Sequence, residues 1–469
     1  MIELQKEKKI YTRLAIALSL LAVVYTVDIL VGKMSVPIMD YWRWIAVYGQ
    51  KVLDGTATFG DWFHSDAGQH IHPLSMMITF FMLKLFRFDV VPLVVAGMLL
   101  RLFVAGGLTA IFVLHFRKEG THRPVMFSLC AVTVALSVLN FSQWEAALEP
   151  FSLAFMLRIT LFYISFFLAD RFVGGMDARS IPKNLLYGAL LGVYSGFLTV
   201  FVSSAYFVGH LVAMGLAILW GLWCKRTSLL SHLAPVFLWG IFALMGAIVY
   251  YIIFSARADA AVSPSAFRRI LPILQGIVCF WGSMLVHQTV SDFTGLAIVT
   301  AVGILLLVFA LWVTFYYIRL HKDGKNLFPL MCVLYAFLTG IVIAVGRVGD
   351  YGVATMTSSR YVVESSVGLV GLAFMTYDVL ARAELSRRLG RLLCISLTVS
   401  LLWLSASAVI ELATMPSRRA YSNRLREKMQ TIETLDDSAL AEFQANSPDD
   451  VRYCVAFFKK NGLSIFKDR

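Results

Sequence analysis

The stretch KEKKIYTRLAIALSLLAVVYTVDILVGKMSVPIMDYWRW, Lys6 to Trp44, decides the class of fold. Lys6, Lys8, Lys9 and Arg13 precede an apolar run over 14–32. About 20 apolar residues in a helix cross a hydrocarbon core of about 30 Å. The basic flank predicts a cytoplasmic N-terminus over 1–13. No small-residue cleavage site follows, so the run reads as a retained first helix and not a removed signal.

Outward from this stretch the pattern repeats. Long apolar runs lie at about 90–115, 125–141, 151–172, 185–203, 205–224, 233–254, 294–318, 327–346, 361–380 and 392–411. Two more, 73–87 and 273–291, are short or interrupted by polar residues. The basic loops at 117–123, 179–183, 225–226, 319–325 and 382–391 share one side only if the two short runs do not invert the chain. The reading is therefore an all-α polytopic membrane protein, with 11 full spans and two partly inserted helices, or 13 spans if both cross. Both counts are odd and put the tail on the outer side.

Composition agrees. Of 469 residues, 59% are hydrophobic and 15% charged, against roughly 45–50% and 25% in soluble domains. That excludes a soluble enzyme, a disordered chain and a disulfide scaffold. The net charge of +12 is spread over short loops, so it reads as the cytoplasmic-loop bias. The bilayer is the expected partner and nucleic acid is not. Six scattered cysteines show neither disulfide nor zinc spacing.

Candidate chemistry concentrates on the outer side. The first loop, 33–72, carries Asp40 and then Trp42, Trp44, Ile45, Tyr48 and Val52 at helical spacing, which predicts an amphipathic helix lying on the membrane surface. Asp40 fits two roles, an N-cap of that helix or a base that takes a proton from a hydroxyl. Asp61, His64, Asp66, Gln69, His70 and His72 follow as a polar cluster. No cofactor is required by these residues, and a divalent metal on the His/Asp cluster stays open. Gln143, Trp144, Glu145 and Glu149 form a short loop suited to hydrogen-bonding and stacking on a sugar, or to an interfacial Trp with solvated acids. Arg347 and Arg360 flank a Gly- and Ser/Thr-rich segment that enters a helix, a pattern fit to cradle phosphate. Arg257, Arg268 and Arg269 add charge in another outer loop. Arg158 and Glu364 stand inside apolar runs, where an ionisable group either pairs internally or faces a cavity. In the tail, 412–469, Asp436-Asp437 and Asp449-Asp450 precede short amphipathic patterns, which predicts a small helical appendage on the outer face.

Asp40-Tyr41-Trp42, Gly55, Trp62 and Gln69-His70-Ile71-His72-Pro73 together resemble the GT-C superfamily of integral membrane glycosyltransferases. Gln143-Trp144-Glu145, Ser359-Arg360-Tyr361 and the tail from Asp449 to Phe466 look like a bacterial branch that modifies O-antigen or surface glycans. The resemblance implies an inner-membrane enzyme that moves a sugar from an undecaprenyl-phosphate donor to a lipid-linked glycan acceptor on the periplasmic side. It implies Asp40 as the catalytic base and Arg360, with Arg347, Arg268 and Arg269, on the donor phosphate. It implies Trp42, His70, His72, Gln143, Trp144 and Glu145 around sugar or acceptor. Asp40 is followed by Tyr41 and not by a second acid, unlike a paired-carboxylate metal site. An O-antigen polymerase or ligase, and a lipid-linked glycan flippase, are the alternatives. A polymerase or ligase usually carries its large outer loop late in the chain, whereas here it comes early. No internal repeat of the kind transporters show is visible.

Overall fold

The computed structural model describes residues 2–63, 72–120, 123–176, 180–225, 229–255, 270–382 and 387–467. All regular structure among them is helical. In chain order the helices are α1 (Ile2–Gly32), α2 (Asp40–Asp54), α3 (Pro73–Leu85), α4 (Val91–His115), α5 (Arg117–Gly120), α6 (Pro124–Val138), α7 (Trp144–Leu148), α8 (Ser152–Gly175), α9 (Ile181–Phe201) and α10 (Phe207–Lys225). They continue as α11 (Leu229–Ser255), α12 (Ile270–Gly282), α13 (Gln288–Thr294), α14 (Leu296–Leu320), α15 (Phe328–Tyr351), α16 (Ser359–Arg382), α17 (Arg387–Gln430), α18 (Asp437–Leu440) and α19 (Pro448–Asn461).

Eleven helical segments among the described residues are long and apolar enough to cross a membrane. These are the eleven full spans read from the apolar runs. The two short runs become α3 and α12, 13 residues each. His72, immediately before α3, has its ring 5.3 Å from Trp44, and Phe88, just after α3, lies 5.5 Å from Phe457. Both ends of α3 thus stay in one layer, formed with α2 and the tail.

α16 is the axis of the bundle. Every residue from Tyr361 to Leu380 is buried. Small residues let its neighbours approach: a Cβ on Gly371 would lie 2.5 Å from the Pro329 carbonyl of α15. Close backbone packing of this kind holds helices together where lipid offers no hydrophobic drive.

A second core sits on the bundle. It unites Tyr41, Trp42, Ile45 and Tyr48 of α2, Met76 and Phe80 of α3, and Leu425, Phe443, Val451, Cys454 and Phe458 of the tail. Trp42 meets Phe443 edge to face at 5.2 Å, and the Cys454 thiol donates to the Trp42 carbonyl at 3.2 Å. Met39 N–H donates to the Phe443 carbonyl at 3.1 Å. The Arg87 guanidinium donates to the Gly462 carbonyl, and Lys467 pairs with Asp89, each at 2.8 Å.

This corrects two expectations. The apolar face of α2 is covered by protein, because the tail supplies Phe443 and Cys454; it does not rest on lipid. The tail also has no boundary at 412. α17 runs unbroken through Pro416 to Gln430 and so carries the appendage rigidly out of the bundle. The appendage itself is helical as expected, with Asp436 capping α18 through Ala439 N–H at 2.8 Å. Ser447 caps α19, and Asp449 and Asp450 occupy its first turn.

Candidate functional site

The site is built where α7 meets the start of α16. The first N–H groups of a helix have no partner within it. For α16 the partners come from elsewhere. Glu145 of α7 accepts at one carboxylate oxygen from Ser358 Oγ (2.9 Å), Ser359 Oγ (2.6 Å) and Arg360 N–H (3.0 Å). Its own N–H donates to Ser359 Oγ at 3.1 Å. Gln288 Oε1 of α13 accepts from Ser359 N–H at 3.1 Å. Glu145 therefore caps a distant helix, where its negative charge also complements the dipole.

The residues beside Glu145 are likewise engaged. Gln143 is buried; its Oε1 accepts from Arg101 and its Nε2 donates to Ser366 Oγ at 3.1 Å. The Arg418 guanidinium of α17 covers the face of Trp144 at 3.4 Å. Glu411 holds Arg418 at 3.3 Å and meets His287 Nε2 at 2.9 Å.

Glu149 differs. It is 3% exposed, and among the described residues its carboxylate has no hydrogen-bond partner. Burial and the nearby charge of Glu145 push its pKa well above the ordinary carboxylate range, opposed by Arg360 and Arg418.

Three arginines from separate helices lie near tyrosines at this end of the bundle: Arg347 is 5.5 Å from the Tyr351 ring and Arg360 5.8 Å from that of Tyr361. Arg158 of α8 lies over the Tyr206 ring at 4.3 Å. Arg347 of α15 and Arg360 of α16 both lie within electrostatic range of Tyr206. Arg360 Nε donates to Ser358 Oγ at 3.1 Å while its charge faces Glu145 and Glu149. Arg158 is paired with Glu364, whose other oxygen accepts from Tyr335. Arg158 also faces His72. Burial, and then that arginine, lower the His72 pKa to about 4, so the ring is neutral at neutral pH.

Of the sequence-predicted residues, the fold brings together Glu145 and Arg360 directly, with Gln143 and Trp144 beside them, and Arg360, Arg347 and His72 around Tyr206 and Arg158. Asp40 stands apart. Met39, with φ 52°, occupies the cap position, so Asp40 lies in the first turn of α2 and is not its N-cap. Its carboxylate accepts a hydrogen bond from Asn446 Nδ2 of the tail at 3.3 Å. Trp42 is fully buried in the second core and unavailable to a ligand in this conformation. His70, Arg257, Arg268 and Arg269 lie outside the described residues, as do His64, Asp66 and Gln69. Asp61 is held by Lys51 (2.7 Å) and by Thr58 N–H (2.7 Å). Those bonds, Lys51 foremost, pull its pKa down to about 2.

Sequence reasoning missed Arg101, Tyr206 and Arg418. Arg101, an arginine inside an apolar run, carries the same signal as Arg158; Tyr206 and Arg418 carry none and are marked only by what they meet. Among the described residues no three His, Cys, Asp or Glu side chains gather as metal ligands would. The chain matches no family model, no curated protein and no solved structure.

Proposed function

We propose that the chain is a glycosyltransferase embedded in the bacterial inner membrane, taking a sugar from a polyprenyl-phosphate donor at its outer face. The observation that carries this reading is that Arg158, Arg347 and Arg360, from three separate helices, act electrostatically on the same group, Tyr206, at the end of the bundle that bears α2. Arg158 is balanced by Glu364, whereas Arg347 and Arg360 stand near helix ends, where a cation can also meet an anion that the bilayer brings to it. A phosphate headgroup whose lipid tail stays in the membrane meets that description.

In the proposed reaction the acceptor oxygen attacks the anomeric carbon. The bond from that carbon to the phosphate oxygen breaks, and its electron pair leaves with the polyprenyl phosphate. Arg360 and Arg347 stabilise the charge that develops there, the main use of preplaced cations in transfer chemistry. The acceptor's hydroxyl proton passes to an outer-face carboxylate. Neutral His72, near Arg158, suits a sugar hydroxyl. The acceptor is a lipid-linked glycan, the cytoplasm holds the N-terminus and the periplasm the tail.

The test is turnover in detergent. Purified protein is incubated with labelled undecaprenyl-phosphate sugar and a lipid-linked glycan. Acceptor-dependent release of undecaprenyl phosphate, weakened at least tenfold in donor KM by R360A, supports the reading. Movement of the lipid-linked glycan across vesicles with no sugar released overturns it in favour of a flippase.

A further inference from the structure

Glu149 has no structural use that explains its burial. A carboxylate taken out of water costs several kcal/mol unless hydrogen bonds or a paired charge compensate it. Its neighbours in the loop are compensated: Glu145 receives three hydrogen bonds from the start of α16. Glu149 receives none among the described residues; its side chain is 3% exposed, and its oxygens are not among those sealed from water without a partner.

The charges facing it come from three elements. Glu145 belongs to α7, Arg360 to α16 and Arg418 to α17. Tyr421 of α17 lies within range as well. Arg360 is tied to Ser358 Oγ, and Arg418 to Glu411 and the Trp144 ring. Neither arginine forms an ion pair with Glu149. The next residue, Pro150, is fixed by a hydrogen bond from Tyr41 Oη to its carbonyl at 3.0 Å. That bond fixes the backbone next to Glu149, whose carboxylate lies within electrostatic range of the arginine assigned to the leaving phosphate.

Asp28 of α1, near Glu411 and Arg418, is also buried with one oxygen unpartnered among the described residues, but it lies inside the first candidate span. Other acids at this end are engaged or on the rim. Asp61 is bound by Lys51 and Thr58, and Asp450 faces Arg43 at 3.4 Å. Asp40 meets Asn446 on the rim.

We propose that Glu149, and not Asp40, takes the proton of the acceptor hydroxyl. The assignment rests on the glycosyltransferase reading above and makes Glu149 a catalytic residue within it. As the acceptor oxygen bonds to the anomeric carbon, its proton moves to a Glu149 oxygen, and the phosphate departs with the electron pair of the broken bond. A proton acceptor whose affinity lies near the working pH is the efficient kind. The electrostatic surroundings of Glu149 move it in that direction.

Two measurements on the full chain in detergent test this. The first is kcat with labelled undecaprenyl-phosphate sugar for wild type, E149Q, E149D and D40N across pH 5 to 9. Loss of general-base help costs about 100-fold or more. E149Q is expected to lose at least that in kcat with donor KM little changed, and E149D to shift the acidic limb of the profile. E149Q within a few-fold of wild type, or a D40N loss beside an active E149Q, overturns the proposal and hands the role to Asp40. If E149Q fails to fold, the wild-type profile decides: a rate without an acidic limb overturns it.

The second measurement needs no turnover. Infrared difference spectra of wild type against E149Q are expected to show a protonated carboxyl band on acidification that gives way to carboxylate as the pH rises. A carboxylate band at every pH overturns the proton-holding role. Wild type that releases no undecaprenyl phosphate, yet shows this titration, fails the transferase reading and leaves Glu149 as a proton-holding group.

Discussion

The first loop and the loop at 140–150 look alike in sequence, each a short polar stretch with tryptophans and acids, yet the fold spends them differently. In the first, the aromatic residues are consumed by packing. Trp42, Tyr41 and Ile45 disappear under the tail, and Asp40 is left on the rim with Asn446. In the second, the polar residues are consumed. Gln143 and Glu145 tie α6 and α7 to Arg101 and to the start of α16, and Glu149 remains buried without a hydrogen bond. The contrast teaches that aromatic density marks where a membrane protein glues layers together. A buried acid with nothing to hold marks where chemistry is available.

The largest test of that contrast is Trp42→Ala. Removing a fully buried indole from the second core is expected to cost about 3–5 kcal/mol. The loss belongs to the appendage alone, so limited proteolysis should cut the tail beyond α17 while the bundle stays intact. Simultaneous loss of both layers would break the comparison. Glu145→Ala comes next, removing three hydrogen bonds to a helix start, for about 2–3 kcal/mol. Thermal unfolding of the bundle in detergent reads it, and Glu145→Gln is expected to recover part of the loss.

Acidification gives a smaller effect. His72 prefers its neutral form in the fold, with pKa lowered to about 4 by burial and then Arg158. The unfolded chain takes up the proton first, near pH 6.5. The contribution of His72 is therefore complete above that value and declines as pH falls toward 4. After allowance for its partial exposure the loss is about 1 kcal/mol. His72→Gln should flatten this part of the stability profile. Asp40→Asn is the smallest: its single weak contact predicts a change within about 0.5 kcal/mol. A larger value would show that the rim acid is holding the tail in place.

Much of this was legible in the chain itself. The apolar runs give the eleven candidate spans, and the interval of Trp42, Ile45, Tyr48 and Val52 gives α2 with its buried face. Arg158 and Glu364 stand out because a charge among apolar residues is costly, and they turn out to hold each other. What covers α2 was not legible, because Phe443 and Cys454 lie some 400 residues away and no local pattern joins them to Trp42. For the same reason the sequence leaves Glu149 open between a sugar contact and a solvated acid. Its burial depends on α16 and α17, which place Arg360 and Arg418 beside it.

The sequence by itself determined that the chain enters the bilayer many times, at the eleven long apolar runs, and which faces of its helices are apolar. Those properties follow from local periodicity and from the cost of an unpaired backbone or charge in lipid. Only the tertiary structure decided which acids are spent and which stay unengaged. A carboxylate's partners here come from helices hundreds of residues apart, and its free energy is set by distance and burial, which no local spacing encodes.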